Sequence, residues 1–223
     1  MMLTEQRKRR LLLPASMTKK GRGYMSDPVK LKRSMPLEGC TISHDGLIIR
    51  SVPDIAKIIL QRSNNVTDSE MEVFGQKFDQ TFGPELSQQV CRKTVSKDGT
   101  ITAHCLNPTI WIILCDDQDV GTITGWFEAA AQEATITTSE ITDQYICLDI
   151  EGRHAQALLA KGCALDLSSE SFSENHVVRT LLAQTNIVLW RNKEDGYRIL
   201  FDVSLSDYLW LWLKGAATEF SGM

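Results

Sequence analysis

The chain has 223 residues, 43% hydrophobic and 23% charged, with a net charge of −4. That composition is ordinary for a globular protein and leaves room for one domain or two small ones. Its apolar runs, such as residues 110–114 and 187–190, are short and strand-sized, far below the ~20 residues that a membrane-spanning helix needs.

Charge is unevenly spread. Residues 1–36 hold ten Lys and Arg against Glu5 and Asp27, a net of +8, which leaves −12 for the rest. A basic segment on an acidic body reads either as a nucleic-acid or membrane arm or as a solvated leader. Only Tyr24 interleaves the basic residues, so base stacking has little support. Arg7–Arg10 followed by Leu11-Leu-Leu13 and Pro14 falls short of the ~7–15-residue apolar region of a secretion signal. Six cysteines (Cys40, Cys91, Cys105, Cys115, Cys147, Cys163) form no Cys-x-x-Cys pair and have no His at metal spacing. They are expected to be reduced, several as small buried side chains in strands.

Residues 1–40 lack sustained periodicity and are expected to form an irregular basic N-terminal arm. Gly46-Leu-Ile-Ile-Arg50 reads as a short strand, and Pro53-Asp54 as the opening of a helix to about Arg62, broken by Asn64-Asn65. The spacing of Met71, Phe74, Phe78 and Phe82 predicts a helix over 69–81, stopped by Gly83-Pro84. Three strands follow at 90–95, 100–105 and 109–115, with turn signals at Lys97-Asp98-Gly99 and Asn107-Pro108. A helix over 120–132 carries Ile123, Trp126, Phe127 and Ala130 on one stripe. Residues 145–150 read as a strand, and Ala155, Leu158 and Leu159 as the apolar face of a helix that stops at Gly162. A strand at 177–183, a hairpin over 186–203 and a Trp-rich helix over 206–214 complete the chain.

Residues 47–62 align with 146–161 at a constant offset of 99. Ala56 then matches Ala155, Ile59 matches Leu158 and Leu60 matches Leu159. The expectation is an α+β fold of two pseudo-repeated strand–helix–strand–strand–helix units, 41–138 and 139–223, behind the 1–40 arm.

Ser206 suits a helix cap, and Leu205, Tyr208, Leu209 and Trp212 are expected to face inward. Trp210, Leu211 and Leu213 then leave almost no polar face. Such a helix needs cover on both sides, from the other half of the chain or from a different chain. Trp210, Leu211 and Leu213 are therefore the candidate subunit-interface residues.

No constellation for chemistry assembles in the sequence. His44, His104, His154 and His176 lie in unrelated contexts, and His154 reads as a polar surface residue. Cys163 follows Lys161-Gly162 just beyond a helix C-terminus, where the dipole disfavours a thiolate. Asp116, Asp117 and Asp119 could work as acid and base, but acids before a helix are also what capping selects. There is no Gly-x-Gly-x-x-Gly after a strand, no phosphate loop and no Gly-x-Ser-x-Gly elbow. No catalytic, cofactor-binding or metal-binding residue is assigned.

Three phrases carry a resemblance: Leu158-Leu-Ala-Lys-Gly-Cys-Ala-Leu-Asp-Leu167, Thr180-Leu-Leu-Ala-Gln184 and Tyr208-Leu-Trp-Leu-Trp-Leu213. With the Thr109–Leu114 strand before a helix, they resemble the gamma-subunit family of heterotetrameric sarcosine oxidases over residues 45–215. The long basic leader departs from the family pattern. The resemblance implies an aminomethyltransferase-like fold and a non-catalytic structural role in the cytoplasm. It implies alpha, beta and delta partner subunits that hold FAD, FMN, NAD, tetrahydrofolate and zinc. The implied reaction is oxidative demethylation of sarcosine to glycine, with the one-carbon unit passing to tetrahydrofolate and release of hydrogen peroxide. The alternative is a free-standing folate-binding protein of the same superfamily, of the iron–sulfur assembly type. That type continues Lys-Gly-Cys with an aromatic, Gly, Gln and Glu, whereas Ala164-Leu-Asp166 follows here. A third class, a basic-armed nucleic-acid binder, would act through residues 1–36 with salt-sensitive affinity.

Overall fold

A run such as Trp111-Ile-Ile-Leu-Cys115, apolar at every position, needs cover on both faces of its strand. Two antiparallel sheets with helices outside them supply it. The structure is a computed structural model that describes residues 34–130 and 136–221. In chain order it has β1 (Thr41–His44), β2 (Leu47–Ser51), β3 (Ile55–Arg62), α1 (Asp68–Phe82), β4 (Arg92–Val95), β5 (Thr102–Asn107), β6 (Ile110–Asp116) and α2 (Val120–Ala130). These lead to β7 (Ile136–Glu140), β8 (Tyr145–Glu151), α3 (Ala155–Ala160), β9 (Val177–Leu182), β10 (Thr185–Lys193), β11 (Gly196–Asp202) and α4 (Ser206–Ala217). One sheet runs β1-β2-β8-β11-β10-β9 and the other β4-β5-β6-β3-β7.

Strand alternation sorts the apolar side chains into three layers. Ile146, Leu148, Ile150, Leu189, Ile199 and Phe201 of the six-stranded sheet pack with Leu158 and Leu159 of α3 and Leu209 and Leu213 of α4. Ala56, Ile58, Leu60, Trp111 and Ile113 of the five-stranded sheet pack with Met71, Phe74 and Phe78 of α1 and Ile123 and Phe127 of α2. The intervening positions, among them Leu106, Ile112, Leu114, Cys147, Val188, Trp190 and Leu200, join the two sheets in a third cluster.

The α1 helix follows its sequence signals. Thr67 and Glu70 form a capping box, and Gly83 closes the helix at φ 97° with its N–H donating to the Asp79 carbonyl at 2.8 Å. Phe74 and Phe78 meet the Trp126 ring at centroid distances of 5.4 and 5.6 Å. The helix α2 ends at Ala130, so the last two residues of its expected span lie outside the described residues.

The helix expected over 53–62 is a strand. β3 pairs with β6 from Ile55 to Gln61 and with β7 from Ile58 to Arg62. Its Ile55, Ile58 and Ile59 suit a strand, and one covered on both faces shows the same three- and four-residue apolar spacing as a helix. The offset-99 alignment therefore sets a strand, β3, against a helix, α3. Element order instead repeats as β3-α1-β4-β5-β6-α2 and β8-α3-β9-β10-β11-α4, with a 3-10 turn before each last helix. The sheets also divide the chain elsewhere than at 138/139, because β1 and β2 extend the six-stranded sheet beside β8 while β7 extends the other beside β3. The β1–β2 hairpin turns at Asp45-Gly46, with Gly46 at φ 68°. Most of the 1–40 arm lies outside the described residues, but Met35 and Leu37 pack against the cluster beneath α3 and α4.

Between the sheets the apolar layer admits charge only with partners. Buried Asp149 of β8 accepts from Arg198 Nε at 2.6 Å and Nη2 at 3.1 Å, from Asn192 Nδ2 at 3.1 Å and from Arg50 Nη2 at 3.3 Å. Lys93 Nζ donates to the Arg191 carbonyl at 2.7 Å. His104 of β5 is buried edge-on to Trp190 at 4.5 Å, and neither ring nitrogen has a hydrogen-bond partner among the described residues.

Where α3 meets α4, Lys161-Gly162-Cys163 forms a clasp. Lys161 Nζ donates to the Ala216 carbonyl in the last turn of α4 at 2.7 Å, pairs with Glu219 and lies 4.5 Å over the Phe220 ring. The Trp212 ring fills the space beside Gly162, and the Ala183 N–H donates to the Gly162 carbonyl at 3.1 Å. Cys163 is buried behind them.

Two stability measurements follow from these contacts. Burial, then the Lys93 and Arg198 charges, holds His104 down at about 3, against an ordinary 6.5. Between those values the unfolded chain binds the extra proton, so the contribution of neutral His104 is complete above about pH 6.5 and lost as pH falls toward 3. A His104→Leu chain is expected to shed that component, at most about 1.4 kcal/mol per pH unit, in denaturant unfolding between about pH 7 and pH 4. Parallel pH profiles for the two chains would refute it. At Gly162 an added Cβ would sit 2.8 Å from two Trp212 ring atoms and 3.0 Å from the Ala183 nitrogen. Gly162→Ala is expected to destabilise the chain by about 1–3 kcal/mol, read as a lower urea midpoint; an unchanged midpoint would mean that the ring yields freely.

Candidate functional site

The interface residues expected on α4 separate into three environments. Leu213 is 0% exposed and belongs to the core beneath the helix. It cannot present itself to another chain, and its assignment to an interface is corrected. Trp210 is half-buried against the same core. Leu211 is 68% exposed. The inward stripe is Ser206, Leu209, Leu213 and Ala217, one position on from the stripe expected at Leu205, Tyr208, Leu209 and Trp212. Of the expected set only Leu209 is buried, and Trp212 is half-buried against Gly162.

The phase shift leaves Leu205, Tyr208 (47% exposed) and Leu211 along one outward face at three-residue spacing. Tyr208 is held in place, because its hydroxyl donates to the Ala183 carbonyl at 2.6 Å. A stripe of this kind on an otherwise well-packed helix is characteristic of a surface that meets another chain. Leu205 and Tyr208 were missed as outward residues because their apolar spacing fits an inward face equally well.

The residues considered for chemistry stand in separate structural settings. His154 is half-buried, stacks on Phe220 at 4.8 Å, and its Nε2 accepts from Arg153 Nε at 3.1 Å. It is thus part of the packing at the end of the clasp rather than a free surface group. His176 Nδ1 accepts from the Ser173 N–H at 3.2 Å, and His44 lines a cavity of about 420 Å³ with Gly46, Glu151 and Lys193. Cys163 Sγ lies 3.9 Å from Thr180 Oγ1.

Asp116 ends β6, and Asp117–Asp119 form a 3-10 turn before α2. Asp116 makes no side-chain cap bond to that turn, in contrast to Asp202, which accepts from the Ser204 N–H at 2.9 Å at the end of β11. Of the acids expected to cap this helix start, Asp116 thus gives the turn no side-chain cap, whereas Asp202 caps the turn before α4. Beside this acidic group, burial and then the Asp119, Asp116, Asp117 and Glu140 carboxylates push the Cys115 thiol up to about 12. Burial first raises Cys105 and Cys147 to about 11. These thiols are protonated near neutral pH and poor nucleophiles. All six cysteines are free. Among the described residues no group of three His, Cys, Asp or Glu is placed to hold a metal ion, and no helix is long and apolar enough to cross a membrane.

Comparison with known proteins places these elements in a family. Residues 67–219 match the model of the sarcosine oxidase, gamma subunit family. A sarcosine oxidase subunit gamma from Corynebacterium sp. (strain U-96) is 38% identical over 74 residues, which are 33% of this chain and 36% of the relative. A sarcosine oxidase subunit gamma from an Arthrobacter species is 34% identical over a match of the same extent. The matched segment thus spans little more than a third of either relative's length. Among solved structures, a chain of the heterotetrameric sarcosine oxidase from Corynebacterium sp. U-96 superposes with a TM-score of 0.71 at 22% identity. That superposition covers 86% of this chain and 97% of the other. The glycine cleavage system aminomethyltransferase T from Bartonella henselae shares the fold more distantly, with a TM-score of 0.53 at 13% identity over 75% of this chain and 45% of its own. The mixed fold of two antiparallel sheets, the Lys161 clasp and the α4 stripe are therefore features of a chain that belongs to the sarcosine oxidase gamma subunit family.

Proposed function

We propose that the chain is a non-catalytic structural gamma subunit of a heterotetrameric sarcosine oxidase, working in the cytoplasm beside alpha, beta and delta subunits. The assembled oxidoreductase demethylates sarcosine oxidatively to glycine, passes the one-carbon unit to tetrahydrofolate and releases hydrogen peroxide. FAD, FMN, NAD, tetrahydrofolate and zinc belong to the other subunits in this reading. The observation that carries it is the outward Leu205–Tyr208–Leu211 stripe on a helix of a chain in this family. The non-catalytic part is supported by where the candidate groups sit: Cys105, Cys115 and Cys147 are buried protonated thiols, and Asp149 is saturated by donors.

Trp210 and Leu211 remain the candidate contacts, now joined by Leu205 and Tyr208. We further propose that the two successions β3 to α2 and β8 to α4 are related α+β units, and that the strands preceding them, β1–β2 and β7, are exchanged between their sheets. Trp111-Ile-Ile-Leu-Cys-Asp116 and Tyr197-Arg-Ile-Leu-Phe-Asp202 sit at equivalent places before their 3-10 turns, which supports this. The basic stretch within residues 1–40 binds no nucleic acid in this reading.

Co-expression with the alpha, beta and delta subunits is expected to yield one complex on gel filtration. Leu211→Lys is expected to weaken that association by about 1–2 kcal/mol while leaving the urea midpoint of the isolated chain unchanged. An isolated chain that is monomeric, fails to join the complex and binds tetrahydrofolate tightly would instead establish the free-standing folate-binding protein.

A further inference from the structure

Sheet edges are backbone surfaces that a fold must either cover or use. Among the described residues the edge of β9 stands apart. Its link to β10 is a two-residue turn with Ala183 at φ 48° and Gln184 at φ 68°, the geometry of a type I′ hairpin. Such a turn makes the flanking Leu182 and Thr185 a hydrogen-bonded pair, so Thr180 and Val178 also address β10. The backbone groups of Val177, Arg179, Leu181 and Ala183 then point away from the sheet. Two of these four positions are used: the Val177 N–H donates to the Cys91 carbonyl at 3.1 Å and the Ala183 N–H to the Gly162 carbonyl at 3.1 Å. The Ala183 carbonyl accepts from Tyr208. Between these closed ends, the N–H and C=O of Arg179 and Leu181 have no partner among the described residues.

The side chains around that gap are also unpartnered. Leu181 is 52% exposed. With Arg179, which is exposed and forms no ion pair among the described residues, it lines a cavity of about 500 Å³ shared with Tyr145, Asn186, Val188 and Leu200. At the other end Tyr208 joins the gap to the outward stripe of α4. The two other edges with outward-facing residues are polar: β1 shows Thr41 and Ser43, and β7 shows Thr137, Ser139 and Glu140. The edge of β4 is engaged, its Lys93 N–H donating to the Asn175 carbonyl at 2.7 Å. Polar side chains blunt an edge, whereas a bare apolar one invites another strand.

We propose that Arg179–Leu181 is a strand-addition site that takes an extended segment of an adjoining subunit. The incoming segment places a carboxylate against Arg179 and an apolar side chain in the cavity beside Leu181. Its backbone supplies the acceptors and donors that Arg179 and Leu181 lack. This inference rests on the subunit reading and names how the partner is held.

Hydrogen exchange on the free chain and on the co-expressed complex tests it. In the free chain the Arg179 and Leu181 amides exchange fast while Thr180 and Leu182 are protected. In the complex the Arg179 and Leu181 amides slow by about tenfold or more. A Leu181→Pro chain removes the outward N–H without touching a β9–β10 bond. It is expected to keep its fold by circular dichroism and to lose the co-purifying subunits, whereas Leu181→Ala retains them. If the wild-type chain forms no complex at all, the subunit reading fails and takes this one with it. A complex in which both amides still exchange fast, or in which Leu181→Pro assembles normally, overturns the strand-addition site alone. So does protection of these amides in the free chain on self-association, which would assign the edge to a second copy.

Discussion

Each sheet of this protein is buried on both faces, and that constraint shapes most of the chain. The face turned toward the helices and the face turned toward the other sheet both need apolar side chains, so central strands lose the alternation of a half-exposed sheet. Charge between the sheets is partnered, as at Lys93 and most fully at Asp149. Asp149 has four donors, and removing one partner would leave a desolvated charge in the layer. The same constraint accounts for the cysteines. Cys105, Cys115 and Cys147 lie in central strands as small apolar side chains, and burial keeps their thiols protonated.

The constraint also decides what could be read from the residues. Helix α1 was legible because its aromatic stripe and its terminal glycine agree with each other, although its Thr67 cap was passed over. Strand β3 was not, because with both faces covered its apolar residues fall at helix-like spacing, and Pro53-Asp54 mimics a helix start. Strand β7, rich in Thr, Ser and Glu, gave no apolar signal, since it lies at an edge. The β1–β2 hairpin had a readable Asp45-Gly46 turn that the strand assignment passed over. On α4 the helix was legible but its phase was not, because apolar residues occur nearly all round it. What fixes the phase is the layer beneath, which takes Leu209 and Leu213 and leaves Tyr208 and Leu211 outside.

The Lys161-Gly162-Cys163 phrase shows how one motif can serve different ends. In this chain each residue is engaged in joining α3 to α4: the lysine at the helix C-terminus, the glycine under an indole ring, the cysteine in the core. The clasp fixes the attitude of α4 and therefore of the apolar stripe it displays. A sequence search for reactive groups meets the same three residues and finds them spent on packing.

The crossed arrangement of β2 and β7 has a consequence for synthesis on the ribosome. The five-stranded sheet can close once Glu140 has emerged, but β2, made before it, has no neighbour except β1 until β8 appears and no complete sheet until Asp202. Through that interval the nascent chain displays the inner face of a finished sheet, with Ile112 and Leu114 bare and a short hairpin waiting alongside. Until β8 to β11 cover it, that face is the kind of exposed apolar surface through which incomplete chains misassociate.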